Sequence, residues 1–221
     1  MSRRTPNPFR DKLRLVVITD RERAGFWGVE AVVDAALRGG ARCIQLREKA
    51  LGAGEVLPLA HRLRRQTLAH GALLIVNDRV DLALACEADG VHLGPDDLPV
   101  QEVRRMAPPD FLIGFSTDDP ATAATAVGEG ADYLGCGTLW PTASKGDAGR
   151  SIGPAGLASV CAAVSAPVVA IGGITLERLP LLKDTGAAGV AVIHAVMAAQ
   201  DPESVARAFL AGFSPDPSPP S

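Results

Sequence analysis

Short runs of β-branched and aliphatic residues alternate with longer segments of helical composition, and the alternation recurs eight times along the chain. The strand candidates read LRLVVITD (13–20), CIQLRE (43–48), LLIVN (73–77), GVHLG (90–94), FLIGFS (111–116), YLGCG (133–137), PVVAIGG (167–173) and GVAVIH (189–194). Between them, segments such as GVEAVVDAALRGG (28–40) and GEVLPLAHRLRRQTLAHG (54–71) end near glycine, as helix C-termini do. Strands alternating with helices predict βαβ units and a parallel sheet. Eight units in about 200 residues fit a single-domain α/β fold, the (β/α)₈ TIM barrel. A doubly wound open sheet would place a Gly-rich dinucleotide loop after its first strand, where this chain has TDRERAGFW (19–27). The expected organisation is an N-terminal extension over 1–12, a barrel over 13–212 and a disordered Pro/Ser-rich tail over 213–221.

In such a barrel the chemistry sits at the C-terminal ends of the strands, and there the hydrophobic pattern breaks. The third strand ends in Asn77 and Asp78, the fourth runs into GPDD (94–97), the fifth ends at Ser116 and the sixth leads into LWPTASKGDAGR (139–150). Along the second strand the period of two puts Gln45, Arg47 and Lys49 on one face and Ile44, Leu46 and Glu48 on the other. Two cations facing the barrel axis are costly unless an anion neutralises them; the plain alternative is a strand end at which they reach water or pair with Glu48. Asp78 and Asp97 follow adjacent strands and suit Mg²⁺, which takes few protein ligands and leaves positions for phosphate oxygens and water. Taken singly, Asp78 reads as a helix N-cap and Asp97 as a turn residue.

IGGIT (171–175), after the seventh strand, falls where these barrels bind phosphate, as does VIHAV (192–196) after the eighth. Gly172 and Gly173 allow close backbone approach, and N–H groups at a following helix start can hold the anion. Alternation places Val190, Val192 and His194 on one face, with His194 at the rim beside that loop. Thr142, Ser144 and Lys145 offer a second anion clamp, or simply a polar loop. The histidines form no metal pattern: His61 and His70 lie in helix-like segments and His92 in a strand.

Composition narrows the class. Hydrophobic residues make up 47% and charged residues 21%, as in soluble globular proteins, and the formal net charge is −3. With no long run of one charge, neither nucleic acid nor an anionic membrane is indicated as a partner. Cys43, Cys86, Cys136 and Cys161 lie far apart without CxxC spacing, and no apolar run approaches transmembrane length. A reduced, cytoplasmic protein is expected.

Seven pieces, QLREK, IVNDRVDLAL, ADGVHLGPDD, GFS, ADYLGCGTLWPTASK, PVVAIGGI and GVAVIHAV, occur in order over about residues 13–212 and together resemble thiamine-phosphate synthase (thiamine-phosphate pyrophosphorylase). The resemblance implies a TIM barrel and an Mg²⁺-dependent condensation of two small molecules, hydroxymethylpyrimidine diphosphate and hydroxyethylthiazole phosphate, to thiamine phosphate and pyrophosphate; a homo-oligomer is compatible with it. It further implies that Gln45, Arg47, Lys49, Asn77, Ser116 and Lys145 hold the pyrimidine diphosphate, with Arg47, Lys49, Ser116 and Lys145 acting on the reacting group. Asp78 and Asp97 would carry Mg²⁺; Thr142, Ser144 and Gly173, with Ile193 and His194 alongside, would bind the thiazole phosphate. The chain departs from the family pattern at GPDD, at GFSTDD, at Trp140, at Ser144 and at His194, where Ser is common. The alternatives are a thiazole tautomerase of the same superfamily, whose histidine at the end of strand six is absent from GCGT, and a non-catalytic regulator that binds thiamine phosphates.

Overall fold

The computed structural model describes residues 9–141 and 151–213. The expected tail from Ser214 onward and the candidates Thr142, Ser144 and Lys145 lie outside the described residues. The strands are β1 (Leu15–Ile18), β2 (Cys43–Leu46), β3 (Leu73–Asn77), β4 (Gly90–Leu93), β5 (Leu112–Ser116), β6 (Tyr133–Cys136), β7 (Val168–Ile171) and β8 (Gly189–Val192). Each pairs in parallel with the next in the chain, and β8 closes on β1, giving the closed eight-stranded barrel. Only β3 keeps its full expected length. The other seven candidates run past the ladder at one or both ends.

Alternation along the strands divides the apolar residues between two cores. Val16, Ile18, Cys43, Leu73, Ile75, Tyr133, Val169 and Ala191 fill the barrel interior. Leu15, Val17, Ile44, Leu46, Leu74, Val76 and their counterparts face the helices and pack with Val32, Val33, Leu37 and Leu63. Burial of each Val or Leu contributes roughly 1.5–3 kcal/mol, and the runs read as continuously apolar because both faces are covered. The N-terminal end of the barrel is stoppered by Leu13, fully buried at the end of a short 3₁₀ turn (Arg10–Arg14). A Cβ on Gly189 would sit 1.8 Å from the Leu13 carbonyl oxygen, so only glycine admits this close approach.

Helices Gly28–Arg38 and Ala53–Ala69 form where the composition predicted them. The connection after β7 differs: it is a 3₁₀ helix, Leu176–Leu182, interrupted by Pro180. Proline has no N–H to donate and crowds the preceding turn, so a continuous α-helix is disfavoured there.

Candidate active site

Gln45 and Arg47 line the mouth of the barrel together with Asn77, His92, Ser116, Tyr133 and Gly135, contributed by β2 to β6. The expected parity of β2 holds in the folded chain, since Ile44 and Leu46 lie in the outer core while Gln45 faces the interior. Arg47 is set at the strand end by Thr19 of the neighbouring β1 connection, whose hydroxyl accepts from the Arg47 N–H at 2.9 Å and donates to its carbonyl at 3.3 Å. Glu48 does not pair with Arg47 or Lys49; it bonds Arg21 at 2.9 Å. Lys49 reaches across to β3, its Nζ 2.5 Å from Asp78.

Asp78 is not a helix N-cap. It adopts a left-handed backbone conformation, φ 62°, and the helix that follows, Val80–Ala85, has Arg79 at its N-cap without a side-chain hydrogen bond. A non-glycine residue held there costs on the order of 1 kcal/mol, and such strain gathers at functional sites. Asp97 folds back so that its Oδ2 accepts from the Gly94 N–H at 2.6 Å. Burial raises the Asp97 carboxyl above its ordinary range; the Gly94 N–H opposes this and the adjacent Asp78 carboxyl reinforces it. Two carboxylates therefore converge from the ends of β3 and β4. No group of three or more His, Cys, Asp or Glu that could hold a metal ion occurs among the described residues. A pair of carboxylates fits Mg²⁺, whose remaining positions go to phosphate oxygens and water. Lys49 competes for Asp78 and would have to shift when a dication binds.

His92 and Tyr133 are part of this site, although neither stood among the candidates. His92, on β4, points inward, with Nδ1 3.0 Å from the Tyr133 hydroxyl and Nε2 2.8 Å from Ser116 Oγ. Burial pushes the Tyr133 phenol well above its ordinary range, with the nearby Gln45 side chain opposing the shift. The signal was present in GVHLG: a polar residue between Val91 and Leu93, which occupy the outward positions.

A second pocket adjoins the first and shares Ile171, Ala191 and Ile193 with it. Gly172, Gly173, Ile174, Thr138 and His194 also line it. Both glycines have positive φ, and each also permits close packing of the β7 connection on that of β6. A Cβ on Gly172 would lie 2.7 Å from Thr138 Cα, and one on Gly173 2.8 Å from the Trp140 carbonyl oxygen. Arg178 covers this edge, donating to the Gly173 carbonyl at 2.5 Å and stacking over Trp140 with its guanidinium carbon 5.1 Å from the ring centre. The expectation that Val190, Val192 and His194 share the rim-facing side is corrected. Val190 and Val192 pack outward against the helices, because inward parity on β8 belongs to Gly189 and Ala191. His194 has left the strand and begins a one-turn helix, His194–Met197. It is exposed, and its Nδ1 lies 2.9 Å from Arg23 Nη1; since a guanidinium can only donate, Nδ1 accepts.

The model of the thiamine monophosphate synthase family matches residues 15–196. The thiamine-phosphate synthase of Roseiflexus castenholzii is 47% identical over 205 residues, covering 92% of this chain and 90% of that protein. That of Chlorobium luteolum is 46% identical over 197 residues, covering 89% and 91%. The solved thiamine phosphate pyrophosphorylase of Pyrococcus furiosus superposes with a TM-score of 0.85 at 42% identity, over 92% of this chain and 96% of that one. The chain therefore belongs to the thiamine monophosphate synthase family.

Proposed function

We infer that the protein is a thiamine-phosphate synthase, a transferase that joins hydroxymethylpyrimidine diphosphate to hydroxyethylthiazole phosphate and releases pyrophosphate. One observation supports this above the others: two pockets with different chemistry share a wall at the C-terminal rim, as a two-substrate condensation requires. The pocket with Arg47, Asn77 and Ser116 suits the diphosphate of the pyrimidine. The glycine-lined pocket with Gly173, Ile193 and His194 suits the phosphate of the thiazole.

In the reaction the bond between the pyrimidine methylene and the diphosphate oxygen breaks, and the diphosphate leaves with the electron pair. The cation that remains is stabilised by the pyrimidine ring, and the thiazole nitrogen closes the new C–N bond. That nitrogen has no proton to lose, so the chain's residues chiefly neutralise the departing anion and align the two rings. Arg47, Lys49, Ser116 and, outside the described residues, Lys145 take the first task; Gln45 and Asn77 join them in holding the pyrimidine diphosphate. Thr142, Ser144 and Gly173 take the thiazole phosphate. Asp78 and Asp97 would hold Mg²⁺, which when bound supplies charge neutralisation at the leaving diphosphate.

None of the four cysteines forms a disulfide. Burial raises the Cys43 and Cys86 thiols and pushes Cys136 up to about 12, in keeping with unreactive core residues in a reducing, cytoplasmic setting. No described helix is long and apolar enough to cross a membrane. The decisive test mixes both substrates with and without Mg²⁺ and follows thiamine phosphate and pyrophosphate together. Equal amounts of both products, formed only with the metal, are expected. Binding of thiamine phosphates without release of pyrophosphate would overturn the assignment.

A further inference from the structure

Inside the barrel mouth, four polar side chains from four strands form a single row: Gln45, Tyr133, His92 and Ser116. The Gln45 amide shares the pocket wall with the Tyr133 phenol, the phenol lies 3.0 Å from His92 Nδ1, and His92 Nε2 lies 2.8 Å from Ser116 Oγ. Space for the row is left by two inward-facing glycines. A Cβ on Gly114 would sit 2.2 Å from Tyr133 Cζ and 2.4 Å from His92 Nδ1, and one on Gly135 would sit 3.0 Å from His92 Cε1. Strand pairing fixes the stack, with His92 opposite Gly114, Gly114 opposite Tyr133 and Ser116 opposite Gly135.

A neutral imidazole has one donor and one acceptor nitrogen, and a hydroxyl has a single proton. The row can therefore run in two directions. In one, Tyr133 donates to Nδ1, Nε2–H donates to Ser116, and the serine proton is left to point into the pocket. In the other every bond is reversed, and Ser116 presents a lone pair to the pocket. Arg47 lines that same pocket and draws an anion into it. A lone pair facing the anion would repel it, whereas an O–H would bind it.

We propose that His92 and Tyr133 are positioning residues that fix the Ser116 hydroxyl as a hydrogen-bond donor to the departing diphosphate. The proposal rests on the synthase reading above for the identity of the anion. A donor held in place before reaction gains strength as negative charge collects on the leaving oxygen, so its effect falls on turnover more than on binding.

The test begins with the tautomer. In protein labelled with ¹⁵N-histidine, long-range ¹H–¹⁵N correlation separates protonated from bare ring nitrogens, and the His92 signals are identified by their loss in His92→Gln. The proposal expects the proton on Nε2; a proton on Nδ1 overturns it. Turnover supplies the second arm. His92→Leu removes the donor to Ser116 and should lower kcat about 10-fold or more, below the 10²–10³ lost with a direct oxyanion donor, while the thiazole-phosphate KM stays within about 2-fold. His92→Gln, whose amide can place an N–H where Nε2–H stood, should recover most of the loss. Equal rates in the Leu and Gln variants, with thermal stability matched, would reduce His92 to a space-filling residue and sink the proposal. Failure of the wild type to form thiamine phosphate would instead overturn the synthase reading, and the tautomer result would stand independently.

Discussion

Asp97 carries two opposed demands. Its carboxyl is raised because it is partly buried and faces Asp78, so in the absence of a dication its ionised form is a strain on the fold. The sign follows from proton linkage: below about pH 4, the ordinary carboxylate value, Asp97 is protonated in folded and unfolded chains alike and imposes no penalty. As pH rises through the higher folded value the penalty develops and persists to neutrality. Asp97→Asn keeps an acceptor for the Gly94 N–H and removes the charge. In chelator the variant should match the wild-type Tm near pH 3.5 and exceed it at pH 7. The same variant should need more Mg²⁺ and turn over more slowly; unchanged metal dependence with full activity would remove Asp97 from the metal site. Arg47 lies at the end of β2, separated from β4 by β3, and takes its position from Thr19. Arg47→Ala should cost on the order of 10²-fold in kcat if the contact tightens as the diphosphate leaves. A change confined to the thiazole KM would mean that it faces the other substrate.

Whole elements decide what these residues face. On β5 the inward positions are Leu112, Gly114 and Ser116, and the missing side chain at Gly114 is what admits Tyr133 and His92. Gly114→Ala should therefore act at a distance: the new methyl overpacks the slot for roughly 1–3 kcal/mol and displaces His92 from Ser116. The measurement is Tm together with kcat, and a fall in Tm without any fall in kcat would separate the slot from the chemistry. At β8 the strand ends two residues before His194, so the imidazole hangs on the next helix and meets Arg23 from the β1 side. His194→Ser restores the common family residue. Thiazole-phosphate KM measured from about pH 6 to 9, across the ordinary histidine range, should give superimposable profiles for the two proteins. A rise with pH in the wild type that is lost in the His194→Ser variant would show that the imidazole itself binds the phosphate.

At the scale of the molecule, the barrel brings together residues that share no local sequence. Gln45, Asn77, His92, Ser116 and Ile193 meet at one mouth because eight strands tilt around a common axis and deliver their C-terminal ends to one rim. The rim as a whole should behave as one binding unit. If Asp78 and Asp97 hold the metal against the diphosphate oxygens, pyrimidine diphosphate with Mg²⁺ should raise Tm by more than the sum of the shifts that each gives alone. Strictly additive shifts would place metal and diphosphate apart.

Much of this was legible along the chain. Eightfold alternation of apolar runs and helical segments pointed to a parallel sheet covered on both faces, and TDRERAGFW in place of a Gly-rich loop after the first strand favoured the barrel over a doubly wound sheet. Polar residues at the strand ends marked the rim, and the parity of β2 separated Gln45 from Ile44 and Leu46, because strand alternation is local geometry that any sequence with a known strand direction reveals. The tertiary structure decided what alternation could not reach. Whether Asp78 caps a helix or turns to Lys49 depends on a left-handed backbone that no residue pattern announces. The role of His92 depends on two glycines, one of them more than forty residues away, leaving room beside it. The orientation of His194 depended on where β8 stopped pairing, and strand ends are set by neighbours across the sheet. Those outcomes are many-body packing results, fixed only when distant segments compete for the same space and the same hydrogen-bond partners.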